Sequence, residues 1–434
     1  MKTKFLALAA AATVAVSTQA SALTFTFVDQ AKGGAEVGTQ AYYGFRAAAN
    51  YWSSVLTNNA NVTIAIGFYS LGKGNENVLG SAGSSRSVRT ISNYQARVQA
   101  TRSNSSVDQA VQIYRPQTDV AGAIDMITPG YTNAALGTGI DTSTRVFDTD
   151  QSINNRYMYT TTANAKAIGV NFAPGTIDAQ IQFNKDFGFD FDPSNGIDSG
   201  KVDFTLVALH EIGHALGFVS GVDDYDVLGF PNGRYATEDC GGFACGDYPA
   251  QTDYWGSALD MFRYSSNREG LGGGGPKLDW AIRNPNDPAS GYVNSTDNPY
   301  FSLDGGQTKA LGVDAYFSRG EDNGASYQAS HWRRSGSNNG AGNPTQPFVG
   351  IMDPVGRTGN YVTGLDIAAF DAIGWNSKID AIKNSNYSYT TAQVYSQALA
   401  QVPEPAQWSL MVGGFGLLGG AMRRRKAKVS GTFA

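Results

Sequence analysis

From residue 41 onward, apolar side chains recur at three- and four-residue intervals: Ala41, Phe45, Ala48, Trp52, Val55 and Leu56. That spacing lines one face of a 3.6-residue helix, so about four helical turns are predicted here. The period then changes. In NVTIAIGFYSL, residues 61–71, Ile64, Ile66 and Phe68 alternate with smaller or polar neighbours, the two-residue period of a strand. A second apolar segment runs from Ala167 to Phe172, and in DAQIQFN, residues 178–184, Ala179, Ile181 and Phe183 alternate with Asp178, Gln180 and Gln182. This alternation predicts a half-solvated edge strand, to which an extended peptide can add as a further strand. Ala179, Gln180, Ile181, Gln182 and Phe183 are therefore candidate substrate-pairing residues.

The run FTLVALHEIGHALGFV, residues 204–219, is apolar nearly all round, which predicts a helix buried at the centre of the molecule, with Asp203 as its N-cap. Just before it, DFDPSNGIDSG carries Asp190, Asp192, Asn195 and Asp198. EF-hand spacing fails there, because the glycine falls one place late and position twelve is Lys201. A polar turn leading into the helix is the main reading, with an irregular Ca2+ loop between Asp190 and Asp198 as the minor one. Residues from about 223 to 330 have little periodicity and much Gly, Asn and Asp. They read as a long insertion in which SALDMFRYSS is the one helix-like piece. TGLDIAAFDAIGW follows, with Leu365, Ala368, Ala369 and Ile373 on one face of a last helix, and residues 381–401 read as a polar linker. No internal repeat is present.

Composition adds the compartment. Of 434 residues, 41% are hydrophobic and 16% charged, enough for a substantial core, while 52 glycines point to a loop-rich extracellular protein. Residues 1–22 join Lys2 and Lys4 to an alanine-rich apolar run and a small-residue site, which is a Sec-type signal peptide with cleavage before Leu23. In an oxidising compartment Cys240 and Cys245 are expected to form a disulfide closing a glycine-rich loop. The net charge of −5 is held against basic residues at both ends, so the body is more acidic still and unsuited to nucleic acid. A soluble monomer is expected.

The chemistry lies in HEIGH. On a helix, residues four apart share a face about 6 Å apart along the axis, so His210 and His214 can bind one metal ion together. Glu211, offset around the helix, can reach an attacking water without taking a coordination place. Neutral imidazoles suit zinc, which lowers the pKa of water toward about 7, and Glu211 is the candidate general base. Burying two imidazoles and a carboxylate costs several kcal/mol unless something binds them. A catalytic zinc takes three protein ligands, and the position six residues after His214, where many zinc proteases place a third histidine, holds Ser220. The main candidates are His331, the chain's one other histidine, and Asp223 just past the helix, with another carboxylate as the remaining alternative.

Two resemblances sharpen this reading. HEIGHALGF, a distant SHW and then GIMDP resemble the leishmanolysin-like branch of the metzincin metalloproteases, in which a long insertion separates the second and third histidines; the likeness runs over residues 165–375. It implies an α+β zincin fold: a twisted, mostly parallel sheet with the active-site helix, and a C-terminal subdomain with a Met-turn at Met352 and a closing helix. It also implies His331 as third ligand and one catalytic Zn2+. The likeness is incomplete, since the tyrosine that some metzincins place two residues after the Met is here Pro354, and Tyr361 is only a distant substitute. At the other end Pro403, Glu404, Pro405, Trp408, a glycine-rich apolar run and Arg423, Arg424 and Arg425 resemble a PEP-CTERM sorting signal. That likeness implies a Gram-negative exporter, an exosortase-type partner, transient inner-membrane anchoring, and release or attachment at the cell surface or in its matrix.

The expected organisation is a signal peptide at 1–22, a metalloprotease domain at 23–380 with its insertion at about 223–330, a linker at 381–401, a sorting and transmembrane signal at 402–428 and a tail at 429–434. The expected activity is zinc-dependent endopeptidase action on protein or peptide substrates, with water activated by Glu211. The alternative is a catalytically weak or inactive zincin-fold surface protein serving adhesion or matrix assembly.

Overall fold

The computed structural model describes residues 23–30, 33–236, 249, 254–267, 269–282, 298–324, 327–334, 347–355 and 361–400. The signal peptide, Cys240 and Cys245, and the sorting signal lie outside the described residues. The elements that position the site are β1 (Thr24–Asp29), α1 (Gln40–Val55), β2 (Asn61–Tyr69), β3 (Gly80–Ser84), β4 (Ala179–Asn184), α2 (Phe204–Leu216), α3 (Val222–Leu228), β5 (Tyr361–Thr363), α4 (Gly364–Ala372), β6 (Ser388–Thr390) and α5 (Thr391–Ala400). Among the described residues no helix is long and apolar enough to cross a membrane.

Four strands form the main sheet in the order β1-β2-β4-β3. The pairs β1/β2 and β2/β4 are parallel, and β3 runs antiparallel to β4. Ile181 is thus flanked by Ile66 on one side and Ala82 on the other. This corrects the expectation for residues 179–183: they are an interior strand, hydrogen-bonded along both edges. Their alternation is real, with Ala179, Ile181 and Phe183 buried and Gln180 exposed. It reports which face of the sheet meets water, however, and the exposed face and the free edge are perpendicular properties. The free edge near these residues belongs to β3, whose sequence GSAGS has no hydrophobic pattern to betray it.

One sheet face is covered by α1 and α2. Thr39 caps α1 by accepting the Tyr42 N–H, and Asp203 caps α2 by accepting the Leu206 N–H at 3.1 Å. Phe45 from α1, Phe183 from β4 and Phe204 from α2 meet with ring centroids 4.8–5.2 Å apart, a spacing that favours edge-to-face and tilted contacts. Trp52 of α1 donates its indole N–H to the Leu209 carbonyl, and Trp375 donates to the Leu216 carbonyl. These bonds pin α2 along most of its length. In the turn before it, Asp190 accepts the N–H groups of Asp192 and Asp198, while Asp192 accepts that of Ser194 and Asp198 pairs with Lys201. The carboxylates there serve the turn itself.

Two further expectations change. SALDMFRYSS is not a helix: Leu259–Phe262 makes one 3-10 turn, and Arg263–Ser265 is a strand between Lys277–Leu278 and Tyr300–Phe301. Its apolar residues repeat too briefly to propagate a helix, and they join Trp280, Phe301 and Phe317 in the hydrophobic core shared with the rest of the fold. Nor is 381–400 a linker. β6 pairs with β5, the Tyr389 ring stacks on Tyr51 at 5.3 Å, the Tyr387 and Tyr51 hydroxyls meet at 3.2 Å, and α5 buries Val394. Tyrosine and threonine give the segment a polar composition, yet tyrosine packs through its ring face. The folded unit therefore extends to residue 400.

Candidate metal centre

The two histidines of α2 project from one face of that helix, as their spacing requires. Gly217 ends it with φ +122, where a Cβ would lie 3.0–3.2 Å from Ile373 and Asn164, so the chain can turn back only with glycine here. The turn brings the Phe218 carbonyl to 2.7 Å from His214 Nδ1. On the other ligand, His210 Nδ1 lies 2.8 Å from the Ile351 carbonyl. Both Nδ1 atoms must therefore carry the proton and donate it, which leaves the Nε2 lone pairs facing inward.

His331 arrives from 117 residues beyond His214, and its Nε2 lies 3.2 Å from that of His214 and 3.1 Å from that of His210. The His210 and His214 Nε2 atoms are 3.1 Å apart. Ligands about 2.0–2.1 Å from a tetrahedral zinc lie about 3.3 Å from one another, so the set fits that ion. Burial holds His210 down to about 4 and His214 to about 3, with His210 adding to the latter, and lowers His331 well below the usual imidazole range. Three neutral rings with converging lone pairs repel one another unless a cation lies between them. Among the described residues they are the group of three or more ligand side chains that converges in this way.

Asp223 is not brought into this group. Its two carboxylate oxygens accept the N–H groups of Ala329 and Ser330 and the Ser330 hydroxyl, and burial pushes the acid up to about 7. Glu211 is placed as expected: nearly buried, with its carboxylate on the same cleft as His214 and His331. Burial alone pushes its acid up to about 8, close to the range in which a carboxyl takes and returns a proton at neutral pH. The cleft, about 950 Å³, is lined by Gly80–Ser84 of β3 and by Asp223, Val227, Tyr327, Gln328, Ser330 and His331. Pro354 lines it, whereas Tyr361 sits in the antiparallel β5/β6 pair with its ring against Phe348. The Ser84 hydroxyl donates to the His214 carbonyl at 3.1 Å, tying the edge strand to the ligand helix.

Met352 lies beneath the ligands, fully buried. A Cβ on Gly213 would stand 2.5 Å from its sulfur, so only glycine at that helix position lets the Met-containing turn come this close. The turn is organised by Asp366, which the sequence reading passed over. Its carboxylate accepts the indole N–H of Trp332 at 2.8 Å, the N–H of Ile351 at 2.9 Å and that of Thr363 at 2.8 Å. The Trp332 N–H in turn donates to the Met352 carbonyl at 3.0 Å. One buried side chain thus holds the neighbour of the third ligand, the carbonyl that orients the first, and the start of α4. Thr363 and Asp366 form a capping box, and the T-x-x-D spacing could have flagged the pair. Asp366→Ala leaves two buried donors and one half-buried donor unpaired at about 1–3 kcal/mol each, so urea unfolding is expected to show a loss of about 3 kcal/mol or more.

No curated protein and no solved structure matches the chain. Residues 401–426 match the model of the PEP-CTERM protein-sorting motif, so the chain carries a recognition signal for exosortase-type enzymes, one that implies export and membrane-associated sorting.

Proposed function

We propose that this chain is an exported zinc-dependent endopeptidase of the leishmanolysin-like metzincin type, carried to the surface or matrix of a Gram-negative cell by its sorting signal. The observation that carries the reading is the convergence of the three Nε2 atoms of His210, His214 and His331 at 3.1–3.2 Å beside the buried Glu211 carboxyl. The three imidazoles would hold the ion. A zinc ion supplies Lewis acidity, lowering the pKa of water toward about 7 and polarising a carbonyl. Glu211 takes the proton of the attacking water on a carboxylate oxygen and delivers it to the leaving amine. A site used only for structure has no need of a base beside its ligands.

Peptide extends along the outer edge of β3 rather than along 179–183. Small side chains at Gly80, Ser81, Ala82, Gly83 and Ser84 let another backbone approach, and the Ser84 bond to α2 keeps that strand in register with the ligands. The reading is tested on the mature chain by metal analysis and casein digestion. One zinc per chain and hydrolysis abolished by a chelator are expected. Full activity in metal-free protein would sink the proposal, and so would zinc-loaded protein inert on unfolded substrates.

A further inference from the structure

The first two histidines stand on a helix, while the third stands on a loop reached only after the insertion. Its own anchor is the weakest of the three: His331 Nδ1 lies 3.3 Å from the Gln328 carbonyl, against 2.7 and 2.8 Å for the equivalent contacts of His214 and His210. Something besides the local backbone must fix where the ring points.

The fixing contacts come from α3. Asp223 Oδ1 accepts the Ala329 N–H at 2.5 Å, and Oδ2 accepts the Ser330 N–H at 3.1 Å together with the Ser330 hydroxyl. Ser330 Oγ in turn accepts the Ser220 N–H at 2.8 Å. Ser220 Oγ donates to Asp260 Oδ1 at 2.6 Å, and Asp260 Oδ2 accepts the N–H groups of Gly221 and Ser257 at 2.7 and 2.8 Å. The chain just beyond the ligand helix is thus locked on one side to the insertion and on the other to the two residues preceding His331. Ser220, Asp260 and Ser330 are all buried, so the bonds from Ser220 to Asp260 and Ser330 are shielded from competing water, while Asp223 lines the cleft.

We propose that Asp223 is a positioning residue for the third metal ligand, holding the backbone of Ala329 and Ser330 so that the His331 imidazole meets those of His210 and His214. The inference rests on the three-histidine zinc site proposed above. It accounts for the length of the detour, because the loop is held from the side by a carboxylate three residues past Ser220 and not by short chain connection. Both oxygens of that carboxylate are engaged with the loop, and three imidazoles complete the ligand set of a catalytic site without it.

The test uses the full mature chain and compares wild type, Asp223→Asn and Ser330→Ala. Zinc affinity is measured by competition with a chromogenic chelator, ligand geometry by the visible spectrum of the cobalt-substituted protein, and folding by thermal unfolding of the metal-free form. Asp223→Asn is expected to weaken zinc about 10- to 100-fold, as removal of outer-shell partners does. Ser330→Ala should shift in the same direction by less, and the double variant should lose less than the sum of the two single losses, because the Ser330 hydroxyl bond to Asp223 is common to both. Wild-type affinity and an unaltered cobalt spectrum in either folded variant would overturn the proposal; Ser330→Ala, which deletes one hydroxyl, keeps the test open if Asp223→Asn fails to fold. A lower melting temperature with unchanged zinc affinity would also overturn it, since that marks a role in stability alone. Complete zinc loss in Asp223→Asn with retention in His331→Ala would make the carboxylate the ligand itself. A wild-type chain that takes up no zinc defeats the zinc site, a different failure visible before any variant is made.

Discussion

Glu211→Gln is expected to lower casein hydrolysis by about 10²- to 10⁴-fold, the usual contribution of a positioned general base, while zinc content stays at that of the wild type. Glutamine keeps the volume and the acceptor oxygen, so the apolar helix around it is not left with a cavity, and only the ability to bind and release a proton is lost. No imidazole needs Glu211 for its orientation: His210 is held by the Ile351 carbonyl, His214 by that of Phe218, and His331 stands on the loop whose Ala329 and Ser330 N–H groups bind Asp223. Binding and chemistry should therefore separate. Metal analysis beside the rate measurement distinguishes the cases. Undiminished hydrolysis would remove Glu211 from the mechanism, whereas joint loss of zinc and activity would make it a support of the site.

What the sequence made legible followed from local periodicity. The helix spacing of Ala41 to Leu56 matches α1, which ends at Val55, and the all-round apolarity of 204–219 matches a helix buried on every side. His210 and His214 were placed together by helix geometry alone. The errors fall where a tertiary partner decides the outcome. Alternation at 179–183 gave the correct buried face but could not say what lies beside the strand, because pairing is chosen by distant residues 61–69 and 80–84. Residues 381–400 looked like a linker, since the surface they bury belongs to α1, more than 300 residues away. The T-x-x-D spacing of Thr363 and Asp366 marks a helix start, yet the bonds of Asp366 to Trp332 and Ile351 depend on three chain segments meeting. Ser220 read as a missing ligand; in the fold it is one end of the contact that holds the loop of His331.

If His331 is the direct ligand proposed above and not a support, His331→Ala is expected to weaken zinc binding beyond the roughly 10- to 100-fold of an outer-shell change, and to abolish hydrolysis. With His210 and His214 alone, two of the coordination places would fall to water and the ion would no longer be held against Glu211. The loss extends to folding. An ion present at 1,000 times its dissociation constant stabilises the native state by about 4 kcal/mol, so zinc should raise the melting temperature of wild type by several degrees and that of His331→Ala hardly at all. In metal-free buffer the order is expected to level or reverse, since the substitution removes one of three imidazoles whose lone pairs meet at 3.1–3.2 Å. Free imidazole should restore part of the zinc affinity by entering the vacated place. Calorimetry with and without zinc measures both terms, and zinc-dependent stabilisation equal to that of wild type would show that His331 is not a ligand.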